Sequence, residues 1–279
     1  MTLALTIKIN DGIVLAADSA STNTSTKSDG TTITRIYNNA NKVLHLHKDI
    51  PVGIITWGNG SIGNESIATI IKNFRKDIMS GENKIDIDAY EVEHLAIKFQ
   101  VFLMEKYSPF YSSLPLEYHP YMGFTICGYS ANADYAVQWR LDVNNSDSTN
   151  LYLASDVDDS GMQWSGQPEA IHRLVNGYTM QLGTILHELG IGEEKRKQIL
   201  ETLEGRAASN MINNAMPIKD AIDIAEFLIQ MTVNFGRYNT DDRSVGGPIE
   251  IAVITKHEGF NWVNRKLYFS DDYNFRRDK

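Results

Sequence analysis

The chain has 279 residues, 42% of them apolar, and a formal net charge of −9. That length and apolar share suffice for a sizeable core and exclude a disordered chain. The acidic balance argues against nucleic-acid and anionic-membrane binding, which want a basic surface, and a single cysteine, Cys127, excludes a disulfide framework or a cysteine-built zinc site.

In chain order, Leu3, Leu5, Ile7 and Ile9 alternate with Thr2, Ala4, Thr6 and Lys8, the period of a half-buried strand. Lys8, Asn10 and Asp11 interrupt this segment too early for a signal peptide. No run reaches the roughly 18 apolar residues of a membrane span, so a reducing, cytoplasmic setting is expected. Asn10-Asp11-Gly12 predicts a tight hairpin turn, and Ile13 to Ala17 reads as a strand covered on both faces. Ser19 to Asn41 is a long polar loop with a strand piece at Thr32 to Tyr37. NKVLHLH and PVGIITWG give two more strands, so the first four read as consecutive antiparallel hairpins.

Ile67, Ile70, Ile71, Phe74 and Ile78 keep helical spacing, and Val92, Leu95, Ala96, Phe99 and Leu103 repeat it. After a connector from Ser108 to Pro120, strands are expected in GFTICGYS, ADYAVQWRLDV and NLYLASDV. Pro168 opens a third helix striped by Ile171, Leu174, Val175, Tyr178, Leu182 and Ile185. GEEKRKQILETLEG is a further helix, Pro217 opens another, and IEIAVIT and NRKLYF close the chain as strands. Antiparallel strands segregated from helices imply two packed sheets with helices on both outer faces.

Two motifs carry little. GNGSIG fits G-x-G-x-x-G, but hairpin strands precede it where a dinucleotide site needs a parallel strand–helix–strand unit, so a tight turn is expected. His45 and His47 share a strand face without a third metal ligand in register, so hydrogen-bonded or solvent-facing histidines are expected. Cys127 reads as a buried strand residue.

Lys42 is more informative. It alternates with Leu44 and Leu46 and is expected on their buried face, and a buried lysine needs a partner. Asp18, ending a buried strand, is the natural one. The pair reads either as a structural salt bridge or as a lysine tuned beside a nucleophile. Thr2 is a weak nucleophile that needs a base. With Met1 removed, its own α-amino group, with a pKa near about 7.7, could serve.

Thr2, Asp18 at the end of AADS, Lys42 in NKV, Gly58, Ser165-Gly166 and the segment DDRSVGGPIEIAVIT together resemble the β-type proteasome subunits, as a divergent bacterial member of those N-terminal-nucleophile threonine peptidases. The resemblance implies one domain over 1–279 with an expanded helical region about 190–216, built as a four-layer α-β-β-α sandwich of two mainly antiparallel sheets. It implies that Thr2 Oγ attacks a carbonyl, that the Thr2 amine or Lys42 handles the proton, and that Asp18 orients Lys42. The Gly58 N–H would form an oxyanion hole, and Ser165 and Asp242 would support the Thr2 amine. Thr22 would pair with substrate backbone, and Ala40, Thr56 and Leu44 would line an uncharged pocket.

No metal or organic cofactor is needed. The expected partners are a peptide or unfolded-protein substrate, further copies of the chain in a ring or ring-like stack, and an activator, an ATPase or another, that the sequence does not identify. Nucleic acid and membrane are not expected. Trp57 stands where the family has a small residue, and Val245 where it has a serine, with Ser244 and Asp241 one position away from the expected register. Two other readings stay open: a non-catalytic assembly subunit, and an amidase or peptide ligase acting on a defined amide.

Overall fold

A computed structural model describes residues 2–27, 29–145, 148–239 and 245–266. Its elements in order are β1 (Leu3–Ile9), β2 (Gly12–Ala17), β3 (Ser21–Thr26), β4 (Thr32–Tyr37), β5 (Val43–His45), β6 (Val52–Gly58), β7 (Ser61–Ile62), β8 (Glu65–Ser66), α1 (Ile67–Ser80) and α2 (Val92–Tyr111). Then come β9 (Met122–Gly128), β10 (Val137–Asn145), β11 (Ser148–Ser155), β12 (Gly161–Gly166), α3 (Glu169–Asn176), α4 (Leu182–Glu188), α5 (Glu193–Arg206), α6 (Ile218–Tyr238), β13 (Glu250–Thr255) and β14 (Gly259–Asn264).

The fold is mixed α/β with antiparallel sheets. One five-stranded sheet runs β12-β1-β2-β13-β14 and a second runs β11-β10-β9-β6-β5. The alternation of β1 sorts its side chains onto two faces, but both faces are covered, so the strand is buried throughout where a half-buried one was expected. Leu3, Leu5, Ile7 and Ile9 join Ile171 of α3 and Leu228 of α6 in one core, whereas Ala4 joins Ile13, Leu15 and Ala17 against Val43, Ile55, Trp57 and Cys127 of the second sheet. The second sheet turns Ile54, Phe124 and Leu141 to Ile70 and Phe74 of α1 and Phe99 of α2. Phe99 meets Phe74 and Phe124 edge-on, at 5.2 and 5.0 Å between ring centres, a preferred aromatic geometry.

Further expectations need correction. The hairpins β1–β2 and β5–β6 form, but β2 and β5 lie in different sheets, so the first four strands are not one meander. The polar stretch between them is not mainly loop: the strand piece expected at Thr32 to Tyr37 is β4, and it pairs with a further strand, β3, in a hairpin. The third helix is two: Gly177 takes φ +81°, a left-handed cap that ends α3, and α4 starts afresh. The last strand is GFNWVN rather than NRKLYF, because Lys256 to Glu258 turn the chain directly back on β13. Residues 267–269 of NRKLYF lie outside the described residues. Strand β12, which no pattern announces, flanks β1 through the register Leu3↔Gly166.

GNGSIG was expected as a tight strand-to-helix turn, but it runs from β6 into the small β7–β8 hairpin, and Ser66 Oγ then caps α1 by accepting from Thr69 N–H at 3.2 Å. No helix among the described residues is long and apolar enough to cross a membrane.

Candidate active site

Asp18 is the hub. It follows β2 directly and is fully buried, and its carboxylate accepts from four donors. Oδ1 takes Leu3 N–H at 2.8 Å and the Lys42 ammonium at 2.6 Å, while Oδ2 takes Ala20 N–H at 3.1 Å and Gly246 N–H at 3.0 Å. A buried carboxylate needs this degree of satisfaction. It fixes the start of β1, the loop before β5 and the segment before β13 to one point. Burial pushes the Lys42 pKa below the usual lysine value, and the Asp18 carboxylate opposes that push.

Thr2 sits one residue ahead of β1 and is itself buried. Its carbonyl accepts from Gln167 N–H at 2.8 Å. This close approach explains Gly166: at φ +97°, a Cβ there would fall 1.7 Å from the Thr2 carbonyl oxygen. Gly166→Ala is therefore expected to force β12 off β1 and to lower the melting temperature, the backbone conformation alone costing about 1–3 kcal/mol. Calorimetry that finds the melting temperature unchanged would refute this reading of Gly166.

A cavity of ≈ 440 Å³ opens beside Thr2. Of the residues singled out from sequence, Thr2, Ala40, Lys42, Thr56 and Gly58 line it. Among the described residues that line it, Lys42 is the one charged side chain. Gly58 ends β6 at φ +84°, where a Cβ would meet the Tyr121 carbonyl oxygen at 2.6 Å. Thr22 does not line the cavity: it stands opposite Ile36 in the β3–β4 hairpin, and its neighbour Ser21 reaches the cavity instead. Leu44 is a correction. It is buried on the helix side of the second sheet, because Lys42 precedes β5 and reaches across to the other sheet instead of following the strand's alternation. Asp242, with Asp241 and Ser244, lies outside the described residues. Val245 packs against the helix-side core of the first sheet.

Trp57 fits because β9 offers Gly123 opposite it, where a Cβ would come within 2.2 Å of the indole. The indole N–H donates to Tyr121 Oη at 2.8 Å, and Tyr121 donates to Asp142 at 2.8 Å. Arg140 stacks 4.6 Å over the Trp57 ring, pairs with Asp142 at 2.9 Å and donates to Ser165 Oγ at 3.0 Å. The sequence reading singled out Ser165 but not Arg140, Asp142 or Tyr121, which join it to the strand end bearing Gly58. Nothing in their local pattern marks them.

The histidines are hydrogen-bonded. His45 Nε2 lies 3.1 Å from the Ile50 carbonyl and its ring stacks on Phe260, while His47 Nδ1 accepts from Asp49 N–H. Burial lowers both pKa values. Cys127 is fully buried, which pushes its thiol up, away from the reactive thiolate.

No family model matches the chain, and no curated protein does. Solved structures do. Anbu (ancestral beta-subunit) from Yersinia bercovieri aligns at TM-score 0.54 and 12% identity, over 95% of this chain and 87% of that one. An Anbu (Gly-1) mutant from Hyphomicrobium sp. strain MC1 aligns at 0.51 and 15%, over 98% and 89%. Anbu from Pseudomonas aeruginosa, described as a helical assembly of the Anbu complex, aligns at 0.51 and 15%, over 97% and 88%. At these identities the likeness is one of fold. It corrects the family resemblance read from the sequence: these structures are Anbu proteins, not β-type proteasome subunits.

Proposed function

We propose that this chain is an N-terminal-nucleophile hydrolase of amide bonds, a threonine-type peptidase whose nucleophile is Thr2 once Met1 is removed. The observation that carries the reading is the convergence of Thr2, Lys42 and Gly58 on one cavity, with Lys42 held 2.6 Å from the buried Asp18. Thr2 Oγ attacks the carbonyl, and its proton passes to the Thr2 amine or to Lys42, whose lowered pKa favours the neutral, accepting form. The Gly58 N–H receives the developing oxyanion. The leaving amine takes the proton, and water then cleaves the Thr2 ester. Ser165, fixed by Arg140, and Asp242 support the Thr2 amine, Ala40 and Thr56 shape the pocket, and Thr22 aligns substrate backbone on the β3–β4 hairpin.

The same reading takes residues 1–279 as one domain of four layers, α-β-β-α, supported by the separate cores on either side of each sheet. It takes the working form as a self-compartmentalising homo-oligomer, ring or helical stack, in the cytoplasm, acting on peptides or unfolded protein. Leu116 and Tyr118, each 64% exposed, and Phe110, 52% exposed, offer apolar surface for that assembly.

Intact mass is the test. Active protein is expected to lack one methionine residue and to gain a covalent adduct on Thr2 after a peptide epoxyketone. Hydrolysis by protein that keeps Met1 would rule out the free-amine mechanism. Val245, packed against the core where a serine was expected, favours a second reading, a non-catalytic assembly subunit. Met1 retained, with neither adduct nor turnover, would select it.

A further inference from the structure

Behind the Lys42–Asp18 pair lies a second buried ion pair. Lys266, two residues past β14, has its ammonium 3.1 Å from Glu250 Oε2, with side chains only 4% and 3% exposed. The ammonium also donates to Ser19 Oγ at 2.9 Å and to the Ala40 carbonyl. Ser19 follows Asp18 directly, and its carbonyl accepts from Ala40 N–H at 2.9 Å. Glu250 stands opposite Ala17 in the β2–β13 register. One ammonium thus joins the strand end bearing Asp18 to the segment bearing Lys42. Stability alone does not account for the charges, since well-packed apolar side chains of the same volume commonly serve as well without desolvating two ions.

We propose that Lys266 is a positioning residue for Lys42: anchored on Glu250, its ammonium fixes the Ser19 hydroxyl and the Ala40 carbonyl on either side of the Lys42–Asp18 pair and places a second positive charge beside it. The inference rests on the hydrolase reading, in which Lys42 moves a proton. Among the described residues the charged groups acting on Lys42 are Asp18, Lys266 and Glu250, and Thr2 lines the same cavity. Lys266 disfavours the protonated form of Lys42, and Glu250 favours it more weakly.

The test is the pH dependence of Lys42 acetylation by acetic anhydride on the folded protein, mapped by peptide mass, beside hydrolysis of a fluorogenic peptide amide. Lys266→Met leaves Glu250 acting on Lys42 and is expected to move the labelling midpoint to higher pH. Glu250→Gln leaves Lys266 held by Ser19 and Ala40, whose oxygens accept from its charged form, and is expected to move the midpoint lower. Loosened packing alone exposes Lys42 and moves both midpoints the same way, towards that of an ordinary lysine.

The charge-balanced double variant Lys266→Met/Glu250→Leu is expected to assemble and melt near wild type, yet to lose about tenfold to a hundredfold in kcat through the misplaced Lys42. Lys266→Arg should recover part of that loss. Midpoints that move together, or a double variant with wild-type kcat and midpoint, overturn the proposal. Should the wild-type protein neither turn over peptide nor form a Thr2 adduct, the hydrolase reading fails on its own, and the opposed labelling shifts still decide what Lys266 does.

Discussion

Thr2→Ala is expected to abolish amide hydrolysis while leaving folding and assembly intact. The substitution removes the attacking oxygen, and losing a nucleophile costs at least about 10⁴-fold in turnover where it acts in concert with its base. The stability cost should be small, about 1 kcal/mol or less. The contacts that seat this residue are made by backbone: its carbonyl to Gln167 N–H, and Leu3 N–H to Asp18. Alanine keeps all of them. A fluorogenic-peptide assay, with size-exclusion chromatography alongside, separates the outcomes. Turnover comparable to wild type by a well-assembled Thr2→Ala protein would end the threonine-nucleophile reading.

What made Thr2 visible in the sequence was its constellation with Asp18, Lys42 and Gly58, set on elements that local order made legible. The alternation over Thr2 to Ile9, the Asn10-Asp11-Gly12 turn and the apolar run to Ala17 are short-range patterns that form the β1–β2 hairpin, although β1 is covered on both faces where alternation announced a half-buried strand. The stripes of α1, α2 and α6 were legible for the same reason: each buries one face against a sheet. Lys42 and Asp18 could be paired because a buried lysine demands a carboxylate, and Asp18 stands at the end of a buried strand.

The rest of the site depends on long-range closure that leaves no local trace. Gly246 reaches Asp18 across 228 residues, and Lys266 reaches Ser19 across 247. Glycine at a strand entry and lysine near a chain end are ordinary in isolation. Arg140 looks like a polar residue on a half-buried strand until Trp57 and Ser165 are brought against it. Lys42 went to the wrong face because alternation with Leu44 and Leu46 was extended past the start of β5 to it, and Leu44 was placed at the pocket by the family resemblance alone. The proposed third helix failed at Gly177, where a left-handed cap outweighed an apolar stripe that continued beyond it.

Lys42→Ala is expected to lose activity almost as completely as Thr2→Ala, and Asp18→Asn to lose much of it, but both should also lose stability. Removing Lys42 leaves a fully buried carboxylate with backbone donors only, at a cost of about 3–5 kcal/mol, or a fall of roughly 10 °C in melting temperature for a chain of this size. Asp18→Asn is no milder locally. Both Asp18 oxygens accept backbone N–H groups, Leu3 on one side and Ala20 with Gly246 on the other. An amide must point its own NH₂ at one of those donors.

The pH dependence separates the two residues further. Because the folded-state pKa of Lys42 lies below its ordinary 10.5, the unfolded chain binds more protons than the folded one between those two values. Stability from this group is therefore fullest above pH 10.5 and falls as pH drops towards the folded pKa. Lys42→Ala removes that slope, so wild type and variant should converge in melting temperature at lower pH across this window and diverge towards its alkaline end. Activity should follow the same group from the other side, rising in wild type as Lys42 sheds its proton. If both variants melt early yet turn over peptide at the wild-type rate, the buried pair is structural and the proton is carried by the Thr2 amine alone.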